Sequence, residues 1–108
     1  MFGDITTMIQ KGKWDKAARK VAHGNAALRL DAAKACSCSD CDECYNILID
    51  LLKDPDEQVQ LAAIESLGKT AGDRASTHLT WLENHTAADK KEIHAAIHTA
   101  LGQIRSRH

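Results

Sequence analysis

The residues of this chain best suited to chemistry are four cysteines that lie between positions 36 and 44. Cys36, Cys38, Cys41 and Cys44 follow the pattern C-x-C-x2-C-x2-C. Thiolates are preferred ligands of soft metal ions, and thiols clustered at this spacing in a reducing compartment are typical of metal ligation. The sequence therefore predicts a metal site formed by these four side chains.

Three metals fit this spacing. Zinc is ranked first because it is abundant in small structural sites, although it usually takes two C-x2-C pairs separated by a longer loop. An iron–sulfur cluster is second, because Cys38, Cys41 and Cys44 reproduce the first three ligands of the ferredoxin run; the fourth thiol, however, lies upstream and no Cys-Pro follows. Copper(I) is third, because it accepts the thiols of a C-x-C pair.

The alternative that the four cysteines bind no cofactor has the same weight as metal ligation, because free cysteines also pack as small apolar residues. Cys36 replaces a leucine of the repeat described below, and Cys41 and Cys44 share a helix face with Leu48. Disulfide bonds rank below both alternatives, since loops this short remove little entropy from the unfolded chain. The sequence thus leaves metal ligation and simple packing open.

The helices that must position these thiols follow a repeat. Residues 59–68 read VQLAAIESLG, an amphipathic helix that starts after the Asp54-Pro55-Asp56 turn and stops near Gly68. The phrase returns at 93–102, 34 residues later, with Gly102 in place of Gly68, and more loosely at 28–36, 31 residues upstream. Three copies at this period are typical of stacked helical repeats.

The pattern predicts an all-α chain of three helical hairpins in a single domain over residues 1–108, with repeats at about 4–36, 39–69 and 73–105. Asn25 is expected to cap one helix, and Ser39 or Asp40 another. The expected helices cover 4–10, 13–22, 25–36, 40–53, 56–69, 74–83 and 89–105. The cysteines then occupy the turn between the first and second hairpins.

Residues 51–73, LLKDPDEQVQLAAIESLGKTAGD, resemble a HEAT repeat of the short kind called PBS-lyase HEAT-like. A Leu-Leu helix end, an Asp-Pro turn and a V-x-x-A-A-x-x-x-L-G helix carry the resemblance, which is fair over 93–102 and partial over 14–36. It implies a right-handed α-α superhelix that serves as a scaffold for protein–protein interaction, using the concave surface of the second helices. A minority of relatives attach or detach bilins, so a bilin lyase-like protein is a further alternative.

Composition supports a helical domain without a strongly charged surface. The chain of 108 residues is 44% hydrophobic but only 4% aromatic, and its net charge of −1 attracts neither nucleic acid nor a membrane. A stripe of Lys13, Lys16 and Lys20 is interpreted as a solvated face. No signal peptide or membrane span is recognised, so a cytoplasmic protein is expected. The expected partner is another protein.

The histidines add weaker candidates. His78 opens the third hairpin at the same edge as the cysteines and is a candidate extra ligand. His94 and His98 have the i, i+4 spacing that lets two imidazoles share a metal, but no Glu or third His is expected to complete that site. No catalytic triad, phosphate loop or paired catalytic carboxylates can be placed, so we predict a scaffold rather than an enzyme, with zinc bracing the Cys36–Cys44 turn. An iron–sulfur redox or metal-handling protein is the alternative.

Overall fold

The computed structural model describes residues 3–38 and 41–107, with Asp4 and Cys38 described by their backbones alone. Within these residues the chain forms helices and no strand, which confirms the all-α prediction. The α-helices are α1 (Gly3–Gln10), α2 (Trp14–His23), α3 (Ala26–Ala35), α4 (Asp42–Leu51), α5 (Glu57–Thr70), α6 (Arg74–His85) and α7 (Lys91–Ser106). A short 3₁₀ helix, Cys36–Cys38, follows α3.

The helices form two layers. The first helices of the three hairpins are α2, α4 and α6, and each packs on the second helix that follows it, α3, α5 or α7. In the second layer α1 packs on α3, α3 on α5 and α5 on α7. The Cα atoms extend 35 × 30 × 16 Å, so the molecule is two helices thick along its shortest axis, as expected for a solenoid.

Side chains cap the N-termini of α3 and α5. The Asn25 side chain accepts a hydrogen bond from Leu28 N (2.9 Å), which confirms the predicted cap of α3. Asp56 caps α5 by accepting from Gln58 N at 2.9 Å and from Val59 N at 3.3 Å. His23 and His85, expected in loops, are instead the last residues of α2 and α6.

The predicted end of α5 at residue 69 is right to within one residue, but Gly68 lies inside the helix, which continues to Thr70. Gly68 is buried where α5 meets α7. A Cβ at this position would lie 3.0 Å from both the Cα and the Cβ of Ala100 and would collide with Gln103 Oε1. The glycine therefore permits close approach of two helix backbones. Gly102 also lies within its helix, and a Cβ there would meet nothing within 4 Å.

The centre of the core is α5, which is buried on the sides that face α3, α4 and α7. Val59, Ala63 and Leu67, which recur at helical spacing on one face of α5, are buried. Ile64, which lies beside that face, is buried as well. Since α5 has second-layer neighbours on both sides, its buried surface is wider than the stripe that one contact would need.

Polar contacts join the first hairpin to the second. Arg29 on α3 donates to the buried carboxylate of Asp54, through Nε at 2.6 Å and Nη2 at 3.3 Å. Its Nη1 donates to Gly24 O at 2.7 Å. The Ser66 hydroxyl, also buried, donates to Ala33 O at 2.9 Å across the α3–α5 contact. These bonds satisfy polar groups that would be costly to bury alone.

Candidate functional site

An apolar groove runs between the first helices α4 and α6. We call it the Trp81 groove; its volume is about 260 Å³. It exists because the first helices pack less closely on one another than the second helices do. Its lining residues are Ile49, Leu52, Lys53, Thr77, His78, Trp81 and Leu82.

Trp81 is the exposed large hydrophobic residue of the described chain, with 45% of its surface accessible. Its ring stacks on His85 at a centroid separation of 4.0 Å and an interplanar angle of 14°. Lys53 Nζ lies 5.0 Å from the ring centroid, within the range of a cation–π contact. Neighbours on α6 and in the turn after α4 thus hold the indole ring while much of it stays open to solvent.

A second aromatic residue continues this surface toward the start of α6. The guanidinium carbon of Arg74 lies 3.8 Å from the Tyr45 ring centroid, and its Nη2 donates to Asp42 Oδ1 at 2.7 Å. The His78 ring meets Tyr45 edge-on, with centroids 6.3 Å apart. Partial burial raises the pKa of Tyr45, an effect that the Arg74 charge partly offsets. His78 thus lines the Trp81 groove and also contacts Tyr45.

A parallel groove lies on the other flank of α4, against α2. We call it the Asp50 groove; its volume is about 350 Å³. Its polar side chains are Arg29, Asp54 and Asp50, of which the first two are bonded to each other. The apolar part of its lining consists of Ala18, Val21, Ala22, Ile47, Leu51 and Pro55.

Three of the four predicted ligands, Cys36, Cys41 and Cys44, come together where α3 gives way to α4. Cys36 and Cys44 are buried, and their side chains are hydrogen-bonded to each other. Burial raises the pKa of the Cys36 thiol, and its bond to Cys44 and the nearby charges of Cys44 and Cys41 raise it further. The Cys36 side chain is therefore a protonated thiol at neutral pH.

Cys41 differs from the two buried cysteines because it is partly exposed and caps α4. Its Sγ accepts a hydrogen bond from Cys44 N at 3.4 Å. The predicted caps, Ser39 and Asp40, lie outside the described residues. Cys41 also lines the wall of a depression of about 590 Å³ beside Trp14 and Asp31, which gives its sulfur a route to solvent.

Metal ligation at this turn stays a prediction. Among residues 3–38 and 41–107, no three His, Cys, Asp or Glu side chains are arranged to hold one metal ion. The fourth predicted ligand, Cys38, has its side chain outside that description. His78, the extra candidate, lies against Tyr45.

His94 and His98 have an acidic neighbour that sequence reasoning missed. Glu83 on α6 places Oε2 in contact with His98 Nε2 and 4.0 Å from His94 Nδ1. His94 Nε2 lies 3.1 Å from Ala87 O, in the turn between the helices. Glu83 reaches this pair because hairpin closure brings the end of α6 alongside α7, but the described residues contain no group arranged to hold a metal ion. The contact fastens the third hairpin.

The repeat seen in the fold is also recognised in the sequence. The family profile described as HEAT repeats matches residues 16–102. The chain belongs to the HEAT-repeat family. No curated protein and no solved structure gives a significant match. In the described part of this HEAT-repeat protein, none of the helices combines the length and apolar character needed to cross a bilayer.

HEAT repeats suggest a protein-interaction scaffold, and the structure shows where this one exposes apolar surface. The resemblance pointed to the second helices, but Trp81 lies on α6, in the layer of first helices. Exposed positions on the second helices α5 and α7 include Glu65, Lys69 and Thr99, which are charged or small. The exposed tryptophan therefore lies in the layer of first helices, opposite the second helices.

A signal for Trp81 was present in the HEAT repeat itself. The buried residues Leu48 and Leu79 are 31 positions apart, as are Leu51 and Leu82, which aligns α4 with α6. At the same offset Trp81 aligns with the exposed Asp50. A tryptophan at a position where the preceding repeat carries an exposed charge is the sequence signal for an exposed aromatic ring.

Proposed function

We propose that this HEAT-repeat protein is an interaction module that binds a partner protein in the Trp81 groove. The observation behind the proposal is Trp81 itself, 45% exposed yet held by contacts with His85 and Lys53. Tryptophan is enriched among the residues that dominate binding energy, because a large rigid ring buries much area at little entropic cost. An aromatic ring held in place beside a groove meets both requirements.

The walls of the groove support binding of a protein segment. Ile49, Leu52 and Leu82 supply apolar surface, and His78 and Thr77 supply polar groups at its edge. At about 260 Å³ the groove falls at or below the lower end of the range for small-molecule pockets, about 300 Å³. Its size therefore favours one or two side chains of a partner protein over an enclosed ligand.

We expect Trp81→Ala to weaken the binding of peptides that are selected on the wild-type protein. Folded protein is immobilised and a random peptide library displayed on phage is selected against it, and the enriched peptides are then titrated in solution. Wild-type protein should enrich binders, and Trp81→Ala should weaken them by at least about tenfold, because truncating a central tryptophan costs more than about 1.4 kcal/mol of binding free energy.

Thr80→Ala is the matched control, because Thr80 is exposed on the same helix and does not line the groove. It should leave the affinities unchanged. Circular dichroism of both variants checks that α6 stays folded. Binders whose affinity ignores Trp81, or no enrichment at all, would refute the proposed site.

The cysteine turn supports a second proposal, in which a structural zinc ion braces the first repeat junction. The supporting observation is that the turn brings the side chains of Cys36, Cys41 and Cys44 close enough to interact with one another. A bound cation would offset the burial, and the closeness of Cys44 and Cys41, that now favour protonated Cys36, and the thiol protons would be released to solvent. The partly exposed Cys41 gives such an ion a path inward.

Cys38→Ser is expected to lower Tm by about 5 to 10 °C if zinc braces the turn, because one ligand of four is lost. Protein purified without oxygen is analysed for metal content, visible absorbance and thermal unfolding, with and without a chelator. In chelator-treated protein the substitution should have no effect on Tm. Brown protein containing iron and sulfide would favour the redox alternative, and metal-free protein with an unchanged Tm would favour four packing thiols.

A further inference from the structure

We infer that the partner segment is an extended peptide that crosses α4 and inserts one apolar side chain into each of the two grooves. This inference rests on the proposed function of the Trp81 groove and adds the Asp50 groove to it. Both grooves open on the layer of first helices, one on each flank of α4. The structure thus offers two apolar sites divided by a single helix.

The residues of α4 show how the two sites are related. Ile47 and Leu51 line the Asp50 groove, whereas Ile49 and Leu52, the residue directly after α4, line the Trp81 groove. Between them the outer surface of α4 carries Asn46, an exposed and short side chain over which a peptide backbone can pass.

The distance between the grooves sets the spacing of the peptide's apolar residues. Helices in contact lie about 8–10 Å apart, and the less closely packed first helices take the upper end of this range or more, so the two grooves on the flanks of α4 are separated by at least about 10 Å. A peptide in the extended polyproline II conformation advances about 3.1 Å per residue and returns every third side chain to the same side, so three residue steps cover that distance. The partner therefore carries large apolar residues at positions i and i+3.

Charges at the two grooves differ in sign. Lys53 is the one residue with a formal charge that lines the Trp81 groove. In the Asp50 groove, Asp54 is bonded to Arg29, whereas Asp50 is exposed and has no ion pair among the described residues. A complementary peptide carries an acidic residue beside its Trp81-groove side chain and a basic residue beside its Asp50-groove side chain.

The peptides enriched on wild-type protein test this inference. We expect their consensus to contain two large apolar residues at i and i+3, flanked by charges of opposite sign. Ala18→Phe fills the Asp50 groove from an exposed position of α2 and should weaken these peptides by about tenfold. Ala27→Phe is the control, because Ala27 is exposed on α3 and lines neither groove.

Charge reversal tests the direction of the peptide. Selection against a variant that carries both Asp50→Lys and Lys53→Glu should enrich peptides with the two charges exchanged. Binders that depend on Trp81 but ignore Ala18→Phe, or that lack the second apolar residue, would overturn the crossing peptide and leave the proposed function standing. Binders that ignore Trp81 would overturn both.

Discussion

Asp54→Ala should lower the free energy of unfolding by about 3 kcal/mol, because it leaves Arg29 partly buried without its carboxylate. The Asp54 side chain is only 4% exposed and accepts Nε of Arg29 at 2.6 Å. Its Oδ1 also accepts Asp56 N at 2.9 Å, so the substitution loosens the turn before α5 as well. Denaturation by urea, followed by circular dichroism, measures the change.

Two further variants separate the buried ion pair from charge in general. Asp42→Ala removes the exposed partner of Arg74, whose pair should contribute less than about 1 kcal/mol. Adding Arg29→Met to Asp54→Ala should recover part of the lost stability, because no uncompensated charge then remains. Equal effects of Asp42→Ala and Asp54→Ala would show that burial of the pair does not matter.

Gly68→Ala should destabilise the protein by about 2 kcal/mol, although alanine is the better helix former. The new methyl group would lie 3.0 Å from Ala100 Cα and Cβ, and a helix backbone cannot yield as a flexible side chain does. The steric cost therefore exceeds the gain in helix propensity. Thermal unfolding should show a Tm lowered by several degrees.

Gly102→Ala is the matched substitution, at the repeat-equivalent position of α7. Its Cβ has open space, so only the propensity gain of about 1 kcal/mol remains and the Tm should rise. Opposite signs at two glycines that align in the repeat would identify the contact between α5 and α7 as the cause. A rise in Tm for both variants would contradict the close contact between Gly68 and Ala100.

The sequence predicted the helices well because their signals are local. Apolar spacing, the Asp54-Pro55 turn and the Asn25 cap each act within a few residues of the chain. The role of Gly68 could not be read in the same way. A glycine near a helix end is commonly a stop, and only the position of the neighbouring helix shows that this one serves close packing.

The candidate site was harder to predict, because it depends on which faces stay uncovered. The spacing of the cysteines predicted a cluster, and the fold does bring Cys36, Cys41 and Cys44 together. Trp81 lies in a helix with no motif, and its importance depends on a groove that two separate repeats create. Similarly, the Arg29–Asp54 pair joins residues 25 positions apart that no local pattern links.

The two junctions between repeats are built from different contacts. The buried Arg29–Asp54 pair and the Ser66 hydroxyl bond join α3 to the second hairpin. At the second junction the Gly68 backbone packs on Ala100, and the Arg107 guanidinium donates to Gly68 O at 2.7 Å and to Ala71 O at 2.5 Å. The hairpins are consequently not interchangeable modules. If the order of the hairpins were changed, or the middle hairpin duplicated, surfaces that do not match would face each other. Hairpins can therefore be added by engineering only if the two surfaces that meet at each new junction are redesigned together.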